Sequence, residues 1–430
     1  MATVKNAPAK LEHAEWLAAP DTQAVFEAIE GAGHAVRAVG GTVRNALFGQ
    51  AVRDIDLATT APPDEVMRVA EAAGLKAVAT GIEHGTVTIV SGGTPIEVTT
   101  LRRDIETFGR HARVAFTTDW RADAARRDFT MNALYCDRDG TIFDPLGGYD
   151  DLIARRVRFI GSADDRIHED YLRILRFFRF AAEYGDGPLD ENSLAACVRG
   201  RGGLAQLSAE RVRVELLKLL AAPLALDAIE AMFDHGLLVD VLGSVPALSR
   251  LTAWIEFDTR HHLGVEPVRR LGALVIRVAE DVERVADRLR LSNKERARLS
   301  ALAIEKTAPC LPGDQESAKA QLYMLGRDGF LNGLFLATGR DVDDTRFAQI
   351  AEFVNLAKTW EAPQLPVAGR DILDLGLGSG PEVGDVLARL EQHWVEERFM
   401  PDRARLLALA KELIDQSNAD DKEQTARERK

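Results

Sequence analysis

The sequence predicts an α+β protein, a small head of mixed strands and helices followed by an elongated all-helical neck, body and tail. Three observations carry that expectation. Short β-type runs punctuated by Gly and Pro occur only before about residue 150. Helical periodicity takes over from Glu169 and continues towards the C-terminus. The helical stretch is broken at Gly185-Asp186-Gly187-Pro188, Gly200 to Gly203, Pro223, Pro246, Pro309 to Gly313 and Pro363 to Gly369, with no strand signal between them.

Within the head, Asp21 to Glu30 reads as a helix and Val36 to Val39 as a strand running into Gly40-Gly41. Thr42 to Phe48 reads as a second helix, stopped by Gly49. Asp54-Ile55-Asp56-Leu57 is a strand, and Pro63 to Ala73 a helix opened by Pro62-Pro63. Thr86 to Val90 and Ile96 to Leu101 flank Ser91-Gly92-Gly93-Thr94 and predict a hairpin, with a further strand at Thr141 to Phe143. The division expected is a head over 20–150, a neck over 151–220 and a body over 221–418. The polar, charge-mixed residues 419–430 read as a disordered tail.

The 430 residues exceed one compact core, and 46% apolar content supplies several. No run of eighteen apolar residues and no signal peptide is present, so a membrane protein is not expected. Cys136, Cys197 and Cys310 are too few and too scattered for a zinc site or a disulfide framework, which points to a cytoplasmic compartment. A net charge of −13 argues weakly against a nucleic-acid partner. Residues 153 to 179 nevertheless carry seven arginines, a local basic surface on an acidic chain.

The chemistry concentrates in short motifs. Gly40-Gly41-Thr42-Val43-Arg44 sits between a strand and a helix, where glycines admit a ligand to the backbone and Arg44 can meet a phosphate. Asp54 and Asp56 are two apart and share a strand face, a repelling pair that a divalent cation resolves. Glu97 is either a solvent-facing strand residue or, if the hairpin pairs beside that strand, a third carboxylate. Arg126-Arg127-Asp128-Phe129-Thr130-Met131-Asn132-Ala133 offers Arg127 as a phosphate or sugar donor, or else a compensated helix cap. Asp170, Arg173, Arg176 and Arg179 recur every third residue along an otherwise apolar helix, a polar stripe facing a cavity or a row of surface ion pairs.

Taken together these motifs resemble the class II CCA-adding enzyme and bacterial poly(A) polymerase family. Asp144-Pro145-Leu146-Gly147-Gly148 and Leu207-Ser208-Ala209-Glu210-Arg211 continue the family's order, so the likeness spans roughly residues 30 to 220. Asn45 departs from it, where the family commonly has Asp after the Arg. The resemblance implies a polymerase-β-like nucleotidyltransferase head in which Asp54 and Asp56 hold Mg²⁺, with Glu97 as an additional carboxylate. It implies triphosphate contacts from Gly40, Gly41, Arg44 and Arg127, and nucleotide binding by Asp170, Arg173, Arg176 and Arg179. It further implies tRNA, CTP and ATP as partners, with no membrane and no DNA.

The base choice has its own physical account. Cytosine and adenine present an amino donor beside a bare ring nitrogen, while guanine and uracil present the reverse. An Asp accepts and an Arg donates, so the pair Asp170 and Arg173 complements C and A without a nucleic-acid template. Between the family's activities, the loop Leu101 to Asp119 and the segment Glu83-His84-Gly85 favour CCA addition to tRNA. Poly(A) polymerase and partial addition of CC or A are the alternatives. No His-Asp dipeptide is present, so an appended phosphohydrolase domain is not expected. The body is expected to bind the tRNA acceptor arm, with Arg269, Arg270, Lys294 and Arg296 as candidates or as ordinary helix charges. The glycine run Leu373 to Gly380 looks like an S-adenosylmethionine loop, a remote alternative that needs a preceding strand.

Overall fold

The structure is a computed structural model that describes residues 10–11, 14–108, 111–303, 311–338 and 344–428. Cys310 and residues 109–110 lie outside the described residues. Two compact units are present, Met1–Thr252 with Val265–Val275 and Glu283–Arg296, and Ala253–Gly264 with Ile276–Val282 and Ala297–Lys430. The segments read as head and neck therefore belong to one packed unit.

The head opens with α1 (Glu15–Ala18), α2 (Pro20–Gly31), β1 (Val36–Val39), α3 (Gly41–Leu47), β2 (Ile55–Thr59) and α4 (Pro63–Ala72). Then follow β3 (Lys76–Gly81), β4 (Thr86–Ser91) and β5 (Thr94–Thr100). Gly92 and Gly93 turn the β4–β5 hairpin with φ of 54° and 91°, the two positive values that match the strand twist. A seven-stranded mixed sheet runs β3-β4-β5-β2-β1-β8-β9, where β8 is Tyr135–Cys136 and β9 is Ile142–Phe143. Only β2 and β5 pair in parallel, and that register sets Asp56 opposite Glu97.

Three expectations need correcting here. The strand at Asp54 begins one residue later, because Thr42 takes up the backbone around it: its hydroxyl donates to the Asp54 carbonyl at 3.2 Å and accepts from Asp56 N–H at 2.9 Å. Strand β3 escaped notice because it is a sheet edge whose mostly exposed side chains show no apolar alternation. The stretch Leu101 to Asp119, read as a polar loop, contains β6 (Arg102–Phe108) and β7 (His111–Phe116), which pair with each other in a separate two-stranded sheet. Backbone pairing there does not depend on an apolar face.

Helix α5 (Trp120–Ala125) precedes β8, and after β9 come α6 (Gly148–Ile153), α7 (Ala163–Glu169), α8 (Leu172–Tyr184), α9 (Glu191–Gly200) and α10 (Ala209–Ala221). Helix α8 buries Ile174, Leu175, Phe177 and Phe178 completely, so it runs through the core as a spine. In the second unit, Ile372, Leu390, Trp394, Leu406 and Ala410 form a helical core.

The C-terminal helix Arg403–Glu428 continues through most of the expected disordered tail, where Ala, Glu, Gln, Lys and Arg outnumber Asp420, Asp421 and Thr425. Leu373 to Gly380 begins inside the helix Gly369–Asp374, not after a strand, and turns at Gly376 (φ 97°) towards the helix Pro381–Glu396. The strand required by the S-adenosylmethionine reading is missing, and that alternative falls.

Candidate active site and nucleotide pocket

Gly40 carries φ 65° and ψ −122°, a backbone that L side chains rarely adopt, and a Cβ there would stand 3.4 Å from Arg127 Nη1. The turn thus brings strand β1, the start of α3 and Arg127 together. Beside it opens a cavity of about 380 Å³, lined by Gly40, Gly41, Arg44, Asp56, Arg127, Asp170, Arg173 and Arg176. Asp128, Asn132, Arg126 and Phe180 complete the wall. Asp54, Glu97 and Arg179 do not line it.

Asp56 is half-buried, and its carboxyl is pushed up to about 6, first by burial and then by Glu97, with Asp54 adding to the effect against Arg127. Arg127 offsets only part of this, and a divalent metal would supply the rest. Among the described residues no three His, Cys, Asp or Glu cluster tightly enough to chelate an ion alone. Asp54 and Asp56 would therefore fit a divalent ion that takes further oxygen ligands from outside the protein.

Arg127 is clamped. Its Nη2 donates to Asp123 at 3.0 Å, and Asp123, 1% exposed, also accepts from Arg126 at 3.0 Å and the Tyr135 hydroxyl at 2.8 Å. Burial would raise the Asp123 carboxyl, but Arg127 and Arg126 outweigh it and hold it at about 2. The buried Arg127 Nε has no acceptor. Asp123 was missed in the sequence, although its spacing of three and four residues before the two arginines was a usable signal.

On the neck, Asp170 accepts from Arg211 Nη2 at 2.6 Å and from Leu172 N–H at 3.1 Å. Arg173 donates through Nη1 to Glu169 and to the Arg166 carbonyl. Among the described residues its Nε and Nη2 have no acceptor. Arg176 is held by Asp128, which also takes Asn132 Nδ2 at 2.9 Å. Arg179 is the exception to the predicted stripe: it is buried, bonded to Glu215 at 2.6 Å and Glu183 at 2.8 Å, and contributes to packing instead of the cavity. Among the body candidates, Arg269 and Arg270 are buried, Arg270 donating to the Leu220 carbonyl at 2.8 Å. Arg296 pairs with Glu283 and Asp287.

Comparison with known proteins matches residues 36–158 to the Poly A polymerase head domain and 188–250 to the probable RNA and SrmB-binding site of polymerase A. A CCA tRNA nucleotidyltransferase 1, mitochondrial, of Danio rerio is 35% identical over 385 residues, covering 87% of this chain and 86% of the relative. This near full-length match decides the family. The chain belongs to the CCA-adding enzymes. A CCA-adding enzyme of Levilactobacillus brevis is 32% identical over 89% of this chain and 95% of its own. The crystal structure of the Bacillus stearothermophilus CCA-adding enzyme in complex with CTP superposes with a TM-score of 0.68 at 27% identity, covering 93% of this chain and 98% of that one. The α+β architecture, a polymerase-β-like head with a helical remainder, is that of the family, and enzymes of this kind use a divalent metal. No described helix is long and apolar enough to cross a membrane.

Proposed function

We propose that this chain adds CCA to the 3′ end of tRNA from CTP and ATP, selecting nucleotides with its own side chains. The observation that carries the reading is one cavity wall holding Asp56 and the head's arginines beside Asp170, Arg173 and Arg176. Near full-length kinship with proteins named for CCA addition supports it. Asp54 and Asp56 would hold Mg²⁺, which supplies a lowered pKa for the primer hydroxyl and charge neutralisation for the leaving pyrophosphate. Glu97, opposite Asp56 in the parallel strand pair, would be the additional carboxylate beside that metal. Arg44 and Arg127 bind the triphosphate, and Gly40 and Gly41 let it approach the backbone.

Asp170 accepts from the amino group of C or A, and the open Nε and Nη2 of Arg173 donate to the bare ring nitrogen. Arg211 fixes the carboxylate and Glu169 the guanidinium, so neither group can reorient towards G or U. Each mismatched buried polar contact then costs about 1–3 kcal/mol. The cytoplasmic setting is in keeping with Cys136 and Cys197, both buried and unpaired. Incubation with a tRNA transcript lacking its 3′ end, with each NTP singly and then all together, tests the reading. Three added nucleotides bear it out, a one- or two-nucleotide product marks partial addition, and a long ATP-dependent ladder marks a poly(A) polymerase.

A further inference from the structure

Arg44 differs from every other arginine on the cavity's inner wall in what holds it. Its side chain is 7% exposed and makes four hydrogen bonds, none to a carboxylate. Nη1 donates to Asn132 Oδ1 at 2.5 Å; Nη2 donates to Asn45 Oδ1 at 2.9 Å and to the Tyr184 hydroxyl at 2.8 Å; Nε donates to Asn45 Oδ1 at 3.2 Å. Arg127, Arg173 and Arg176 are each ion-paired. Two acids stand one residue behind the neutral partners. Asn132 Nδ2 donates onward to Asp128 at 2.9 Å, and the Tyr184 hydroxyl donates onward to Glu183 at 2.7 Å. The Tyr184 ring also lies 4.1 Å from the guanidinium carbon.

Neutral acceptors fix the orientation of a guanidinium and leave its charge uncompensated. A carboxylate in the same place would fix it equally well but would already be its counter-ion, and an incoming phosphate would have to compete. We propose that Asn45 is a positioning residue that sets the anion affinity of this site: by holding Arg44 through an uncharged oxygen, it keeps the full charge for the triphosphate. Asn45 sits on α3 outside the cavity wall, and among the described residues the charged group its side chain hydrogen-bonds is the Arg44 guanidinium. Its effect on a ligand therefore passes through Arg44. The proposal rests on the reading of Arg44 as a triphosphate contact.

Asn45→Asp tests it, because the two side chains share a shape and differ in charge. Binding of inorganic tripolyphosphate to the full chain is measured by calorimetry at constant Mg²⁺, beside Tm and the steady-state constants for CTP and ATP. The expected result is affinity about tenfold weaker, KM raised by a similar factor for both nucleotides, kcat changed less than KM, and Tm at or above that of the parent. Asn45→Ala, which removes the acceptor without adding charge, should lie between parent and Asp. Tripolyphosphate affinity in Asn45→Asp within twofold of the parent overturns the proposal, and so does an Ala variant weaker than the Asp variant. If Asn45→Asp does not fold, Asn45→Gln and Asn45→Ala carry the test: Gln, which keeps a neutral acceptor, should hold parental tripolyphosphate affinity and Ala should fall below it, and an Ala variant equal to the parent overturns the proposal. Arg44→Met separates the two levels: loss of tripolyphosphate binding there, without loss in Asn45→Asp, overturns the role of Asn45 alone, whereas retained binding in Arg44→Met overturns the reading beneath it.

Discussion

Arg44 on the head and Arg176 on the neck helix line the same cavity, yet amide and phenol oxygens hold one while the buried carboxylate of Asp128 holds the other. The difference suits what each would meet. A triphosphate is an anion, and net charge is what binds it. A base edge is neutral, and it needs donors fixed in direction, which an ion pair provides while cancelling the stray charge. Arg179, one step further along α8, has the same kind of partner as Arg176 but no access to the cavity, and so would mark the limit of the proposed base-reading surface.

The largest effect that would break this comparison lies at the carboxylates. Asp54→Ala and Asp56→Ala should each lower nucleotide addition by about 1000-fold or more, with unchanged circular dichroism. Activity close to the parent in either one would remove the metal assignment. Next is Arg179→Met, which leaves Glu215 buried without its close partner. Stability should fall by about 3 kcal/mol in a denaturant titration while preference for C and A over U and G stays intact. Lost preference at unchanged stability would return Arg179 to the base-reading set.

Asp170→Ala should act the other way, lowering discrimination against UTP and GTP by about ten- to a hundredfold, more than it lowers turnover. Single-turnover incorporation of all four nucleotides measures it, and parental selectivity would leave α8 with a purely structural stripe. Arg173→Ala should be worse overall, since its guanidinium also ties down Glu169 and the Arg166 carbonyl.

The smallest expected effect is on stability without metal. The Asp56 carboxyl sits at about 6 in the fold, above the ordinary value of about 4, so the folded state holds its proton more tightly than the unfolded chain does. That contribution is fully present below about pH 4 and is lost as the pH rises through 6. In EDTA, Asp56→Asn should therefore melt higher than the parent at pH 8, by about 1–3 kcal/mol, and the gain should vanish below pH 4. An equal gain at both pH values would mean that the site's repulsion is not what Asn relieves.

Local chemistry was legible wherever one short stretch carries the whole requirement. Gly40 needs a positive φ, the β4–β5 hairpin needs two glycines, and Ile55 to Thr59 needs only the run of apolar and β-branched residues of an extended strand, although Asp54 falls just before it. These demands concern neighbouring residues, so linear order states them in full. The partners that reach the site's charges from distant segments were not legible in this way. Arg211 reaches Asp170 across 41 residues and Asn132 reaches Arg44 across 88, distances at which no spacing rule operates.

Helix α8 shows where the two kinds of information part. Its sequence alone made it a largely buried helix with charges every third residue. A three-residue step falls about 60° short of a full helical turn, however, so Arg179 lies about 120° around the axis from Arg173. Which of those directions opens on a cavity and which meets Glu215 on α10 depends on how the helices pack, and no periodicity within α8 contains it. The same holds for Glu97, which either reading of its own strand allowed. Parallel pairing of β5 against β2 set it opposite Asp56, because strand register is a relation between two segments and belongs to neither.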